Sequence, residues 1–283
     1  MGTTVRRMAA TALGWCLAAH AAAAQEPDHA VWLCLEEQEP DLPDQAAVAR
    51  DLLSGDPDRV YEAMACMPRI LSSEEPTTEL VEALVAAYER EVALGHPSGD
   101  GEWHIGLMAS IITTKHPLTI DFLTRSLTGN YFAVEGLLHF GPSVIPGLAD
   151  LATSPEATPN QANGAMFALR EAVAWWGPYL GPESVEAIRR AAIRHLEGAP
   201  DFARGPPWLL EPNMLAYRRG TLFDHAAVIA WALGDPELAA VARDARHPST
   251  GEPGIPDRVR EEAPSWEKAL QRAANKAGPP PGR

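Results

Sequence analysis

The stretch TELVEALVAAYEREVAL, residues 78–94, decides the fold class. Leu80, Val81, Leu84, Val85, Tyr88 and Val92 recur at steps of one, three and four, the spacing that lines one face of an α-helix. Glu79, Glu82, Glu89, Arg90 and Glu91 fall largely off that stripe, where water can hydrate them. Gly95 and Pro97 follow, one with little helix preference and the other without an N–H to continue the ladder. A half-buried strand would instead alternate apolar and polar residues over five or more positions. Such alternation is hard to find anywhere in the chain, and only Ile105–Ile112 reads either way.

The same logic extends in both directions. Between Pro182 and Glu197 the stripe is Val185, Ile188, Ala192 and Leu196, with Glu186, Arg189, Arg190 and Arg194 elsewhere. Pro182 suits a first turn, where its missing N–H costs nothing. Further helices are expected at Asp44–Ser54, Pro57–Pro68, Glu102–Thr114, Pro117–Thr128, Tyr131–Phe140, Ser143–Thr153 and Gln161–Trp176. Others follow at Asn213–Arg219, Leu222–Leu233, Pro236–Arg246 and Pro264–Lys276. Gly55-Asp56-Pro57 and Gly234-Asp235-Pro236 each close one helix and open the next, with Asp capping and Pro in the first turn. The Pro-rich stretch Ala199–Pro212 reads as an insertion, and His247–Asp257 as a linker before a closing helix within residues 258–277. The tail, 278–283, is too rich in Gly and Pro to be ordered.

The turn glycines Gly55, Gly141 and Gly181 recur at roughly 40–43 residues or twice that, the period of paired-helix repeats. Within Tyr131–Ala152, Phe132-Ala133-Val134-Glu135-Gly136-Leu137-Leu138 precedes Phe140-Gly141-Pro142 and then Val144-Ile145-Pro146-Gly147-Leu148. This segment resembles a HEAT repeat: a first helix, a Gly-Pro turn, and a second helix opening near Ile-Pro. A weaker echo lies at Ala226–Ala245, around Trp231-Ala232-Leu233-Gly234-Asp235-Pro236. The resemblance implies an all-α fold of antiparallel helix pairs stacked in an irregular HEAT-like α-solenoid over residues 25–246. Unequal spacing between the units argues against a regular array.

The N-terminus carries Arg6 and Arg7, an apolar run from Met8 to about Ala19, and Ala21–Ala24 before Gln25. That order is expected of a secretory signal peptide, residues 1–24, cleaved after Ala24. An uncleaved anchor would need ~20 strongly apolar residues, and His20 interrupts this run. The chain carries a formal charge of −15, and loss of Arg6 and Arg7 would make the processed form more acidic still. A periplasmic or secreted protein of that charge repels nucleic acid and anionic lipid at long range. Of the three cysteines, Cys16 would leave with the leader. Cys34 and Cys66 are then an even pair in an oxidising compartment, where a disulfide is expected. The alternative is two buried thiols.

No GxSxG elbow, phosphate loop, GxGxxG or HExxH is present, and no catalytic residue, cofactor or metal is assigned. Asp100-Gly101-Glu102-Trp103-His104, with His96 and His116 nearby, reads either as a divalent-metal loop or as a helix entrance with acids in its first turn. Glu135 and His139 would share a helix face, as an acid–base pair or a surface contact. Trp175-Trp176 reads as core, one ring packed and the other partly exposed. The binding candidates are Trp208, Tyr217, Arg218 and Arg219, on and just after the insertion Arg204-Gly205-Pro206-Pro207-Trp208-Leu209-Leu210. Trp, Tyr and Arg are common energetic anchors of interfaces; alternatively, Trp208 and Leu209 fold back over the core. These features lead to an expected interaction scaffold whose partner is another protein of the envelope or extracellular space. An enzyme with a helical body, acting on a carbohydrate or peptide in a groove, is the alternative. It would require at least two converging acidic or imidazole side chains.

Overall fold

A computed structural model of the protein describes residues 43–94, 102–128 and 131–252. The leader, Cys34, the closing helix and the tail lie outside the described residues, as do His96, Asp100 and the side chains of Glu102, Trp103 and His104. Among the described residues the fold is all-α, with eleven α-helices and three short 3-10 turns. The stretch 105–112 that read either way is helix.

The chain separates into two compact units, dividing after Ser73. In the first, α1 (Gln45–Leu53) pairs with α2 (Pro57–Ser73). Asp44 caps α1 through Ala46 N, and Asp56 accepts from Asp58 N at 3.0 Å to open α2. Val48, Leu52, Val60, Ala63, Met67 and Ile70 are buried. Helix α2 was expected to stop at Pro68 but runs on to Ser73. Pro68 is exposed, so its ring meets water, while the apolar stripe continues through buried Ile70 and keeps the helix winding.

The second unit contains α3 (Thr78–Ala93), α4 (Glu102–Thr114), α5 (Thr119–Arg125), α6 (Tyr131–Leu138), α7 (Ile145–Thr153) and α8 (Pro159–Trp176). It continues with α9 (Pro182–Glu197), α10 (Pro212–Leu233) and α11 (Pro236–Asp244). Helix α3 buries Leu80, Val81, Ala83, Leu84 and Ala87. Its stripe ends early, because Val92 is 53% exposed. Tyr88 meets Phe122 of α5 edge to face, ring centroids 5.3 Å apart.

Helices pack both on their neighbour in sequence, as α3 does on α4, and on the helix one further along. Helices α4, α6, α8 and α10 touch in succession; on the other side α3 meets α5, α7 meets α9, and α9 meets α11. Helix α7 also packs against α8, and α9 against α10, which joins the two rows through a shared Ala- and Leu-rich core. A close approach is made at Gly164 of α8, where an added Cβ would lie 1.9 Å from the backbone oxygen of Leu127. Only the absence of a side chain allows it. Thr158 and Gln161 close a reciprocal capping box at the start of α8.

Two expected helices, Asn213–Arg219 and Leu222–Leu233, form the single α10. Gly220 is no break. It is buried against the turn that follows α11, where a Cβ would sit 2.9 Å from His247 Cε1 and 3.3 Å from Ser249 Oγ. That turn is closed by His247 N donating to Glu252 O and Gly251 N donating to His247 O, each at 2.8 Å. Residues 247–252, the start of the expected linker, are thus folded onto α10: Ser249 Oγ donates to Ala216 O and His247 meets Phe223 at 5.3 Å. Helix α10 ends at Gly234, whose φ of 65° is the left-handed conformation common after helices. Asp235 then caps α11 through Glu237 N and Leu238 N, as the Gly-Asp-Pro signature anticipated.

Candidate functional site

Of the expected binding residues, Trp208 and Tyr217 are exposed, whereas Arg218 and Arg219 are half-buried, each with a buried Nε. The insertion is held at several points: Phe202 is 8% exposed, Arg204 pairs with Glu156 at 2.5 Å, and Asp201 accepts from Arg219 Nη2 at 3.0 Å. A 3-10 turn, Pro207–Leu210, then settles on α10. The turn splits the two readings of its apolar pair. Leu209 folds into the core at 1% exposure, whereas Trp208 is left 52% exposed. Tyr217 on α10 is 61% exposed, with the Arg218 guanidinium 5.5 Å from its ring centre. Two aromatic rings therefore face water on a segment whose backbone is anchored, an arrangement suited to a partner surface.

Arg219 also leads inward. With His195, Glu197, Asp201, Phe223 and Arg246 it lines a cavity of about 310 Å³ beside the C-terminal end of α9. His195 belongs to the buried stripe of that helix, seven residues after Ile188, and is only 2% exposed. Its Nε2 lies 2.9 Å from the carbonyl oxygen of Ala152 on α7. A carbonyl only accepts, so Nε2 carries the proton and donates. Burial, with a smaller contribution from nearby Arg194, holds the His195 pKa down to about 4 against the opposing pull of the Ala152 carbonyl. The ring is therefore neutral at pH 7, and Nδ1 is a bare acceptor with no protein partner. An unsatisfied buried acceptor costs roughly 1–3 kcal/mol. Arg219 Nε is likewise buried without a partner.

A second imidazole, His225 of α10, is pushed down to about 3 by burial first, then by Arg170 and His195. Arg170 Nη1 donates to its Nδ1 at 3.3 Å, while the same guanidinium lies 4.5 Å from the Phe167 ring centre and pairs with Glu171 at 2.9 Å. His225 is thereby a packed, neutral hydrogen-bond acceptor between α8 and α10.

His139 does not pair with Glu135 but packs edge-on against Trp175, ring centroids 6.2 Å apart. Its pKa is lowered by burial and by Lys115, with Glu135 opposing. Trp176 is buried and Trp175 half-buried, as read from the sequence. Among the described residues no group of three His, Cys, Asp or Glu side chains is placed to hold a metal; Asp100, Gly101 and the side chains of residues 102–104 lie outside them. Cys66 is buried on α2. No single helix among the described residues is long and apolar enough to cross a membrane. His195 and the cavity were not singled out from the sequence, although the spacing Ile188, Ala192, His195 did place an imidazole on the apolar stripe. No protein-family model, curated protein or solved structure matches the chain.

Proposed function

We propose that this protein is an exported interaction scaffold, an irregular HEAT-like stack of helix pairs that presents Trp208, Tyr217 and Arg218 to another protein of the envelope or extracellular space. The observation that carries the reading is the exposure of Trp208 and Tyr217 on an anchored segment, with Leu209 buried beside them. Isolated exposed apolar residues are ordinary; two large aromatic rings next to arginine are the composition of an interface centre. The alternating packing of neighbouring helices supports the paired-helix reading, because each pair hides its apolar face on the next. Export rests on the leader-like N-terminus and would place Cys34 and Cys66 where a disulfide persists.

The test is affinity capture from envelope extract with the wild-type chain and with a Trp208→Ser, Tyr217→Ser double variant. Both substitutions fall on exposed side chains, so circular dichroism should be unchanged. The scaffold reading expects one reproducible partner, lost with the double variant. Capture of the same proteins by both forms would contradict it.

The enzyme alternative draws on the cavity, whose lining includes His195, Glu197 and Asp201. An imidazole with a pKa of about 4 is a weak base at neutral pH. The chemistry of that cavity favours holding a molecule over moving its protons.

A further inference from the structure

We infer that the C-terminal segment Pro264–Lys276, which lies outside the described residues, docks along the outward stripe of α10 and covers Tyr217. Helical spacing and exposure define that stripe. Tyr217, Thr221, Asp224, Val228 and Trp231 follow at steps of four, three, four and three, which sets them in one line along the helix. All five reach water: Tyr217 and Asp224 are exposed, and Thr221, Val228 and Trp231 are half-buried. The opposite side, through Phe223, Ala226 and Ala230, is the one committed to the core.

The place where the described chain ends names the occupant. Residues 247–252 are already seated on α10: Ser249 Oγ donates to Ala216 O at 3.2 Å, and His247 Nε2 lies 3.8 Å from Asp224. Glu252 O accepts from His247 N at 2.8 Å, so the chain leaves beside the middle of the stripe. Residues 253–263 span up to about 40 Å when extended, more than the roughly 33 Å length of α10. Beyond them, Trp266, Ala269, Leu270 and Ala273 recur at steps of three, one and three, the narrow apolar edge of a helix. A helix this short needs a surface to pack on. From Pro264 to Lys276 it would measure about 20 Å, and Tyr217 to Trp231 spans about 21 Å. Charge agrees: Lys268, Arg272, Lys276 and Arg283 stand against Glu267 alone, in a chain of net charge −15 with Asp224 inside the stripe. One consequence rests on the scaffold reading: the segment shields Tyr217 until a partner displaces it.

The experiment places a photoreactive phenylalanine analogue at position 217 or 228 of the purified full chain, with position 147 as control, and maps the adducts by mass spectrometry. Adducts from 217 and 228 should fall within residues 264–276, persist unchanged on dilution, and be absent from 147. A Trp266→Ser, Leu270→Ser double variant should lower their yield roughly ten-fold or more, the shift expected when one buried apolar side chain is lost. No adduct to 264–276, adducts of dimer mass only, or an unchanged yield in the double variant would overturn the docking. Shielding is read separately by affinity capture from envelope extract: the double variant should retain more partner than the wild type, and equal capture would overturn it. The expected adducts with no partner captured by either chain would sink the scaffold reading and leave the docking standing.

Discussion

Replacing Gly164 by alanine puts a methyl group where a carbonyl oxygen already sits. The added Cβ would lie 1.9 Å from Leu127 O and 2.9 Å from both Leu127 C and Leu127 Cβ. Contacts under 3.0 Å are essentially never tolerated, so α8 and the turn after α5 must separate by about 1 Å. Both partners are backbone, and neither can swing aside as a side chain would. Overpacking of this kind costs roughly 1–3 kcal/mol or more, against an intrinsic helix gain of up to about 1 kcal/mol for Gly→Ala. With the cost at the upper end of that range, a net loss of about 2 kcal/mol should lower Tm by roughly 4–8 °C, at about 2–4 °C per kcal/mol for a chain of this size. Gly147 supplies the internal control. It lies in α7 with nothing within 4 Å of its would-be Cβ, so Gly147→Ala should raise Tm by a few degrees, about 0.5–1 kcal/mol. Thermal melts of the two variants beside the wild type decide the matter. If Gly164→Ala melts at or above the wild-type temperature, α8 does not sit on the α5 turn as described, and the packing account fails.

Other outcomes are equally concrete. His195 and His225 have folded-state pKa values of about 4 and about 3 against an ordinary 6.5. The unfolded chain therefore binds protons first, and stability, full above pH 6.5, should fall on acidification towards pH 4 by up to about 1.4 kcal/mol per pH unit for each ring. Urea titrations at pH 7, 6 and 5 check this; a flat profile, or an unchanged slope in His225→Phe, would refute it. Asp235 accepts from Glu237 N at 2.9 Å and from Arg189 Nε at 3.0 Å. Asp235→Ala should cost about 1–2 kcal/mol in the same titrations, with Asp235→Asn recovering much of it through the cap. Processed, unreduced protein should show no free thiol after denaturation; two would remove the Cys34–Cys66 bridge.

Much of the fold was legible because burial follows helical spacing. The stripe through Ile188 and Leu196, and the Asp56 and Asp235 caps, are local features written within a few residues of where they act. The departures come from contacts distant in sequence. Gly220 looks like a break because its neighbours Arg219 and Thr221 are polar, yet it is the notch that admits His247 and Ser249. Pro68 looks like a stop, but on the solvent side its lost hydrogen bond is outweighed by burying Ile70. The candidate surface was half legible: Arg and aromatic residues marked the segment, while the opposite fates of Trp208 and Leu209 depend on how the 3-10 turn meets α10. The cavity was the least legible. It needs α9, the insertion and the turn after α11 to converge on one histidine, and no spacing announces that.

The central claim is that the anchored aromatic surface meets a protein partner in the envelope or beyond it. Its most direct measurement is photo-crosslinking in the living cell, with a photoreactive phenylalanine analogue at position 217 and, as control, at position 147. The scaffold account predicts one discrete heavier species from position 217 and none from 147. No adduct at 217, or the same adducts at both positions, would contradict it.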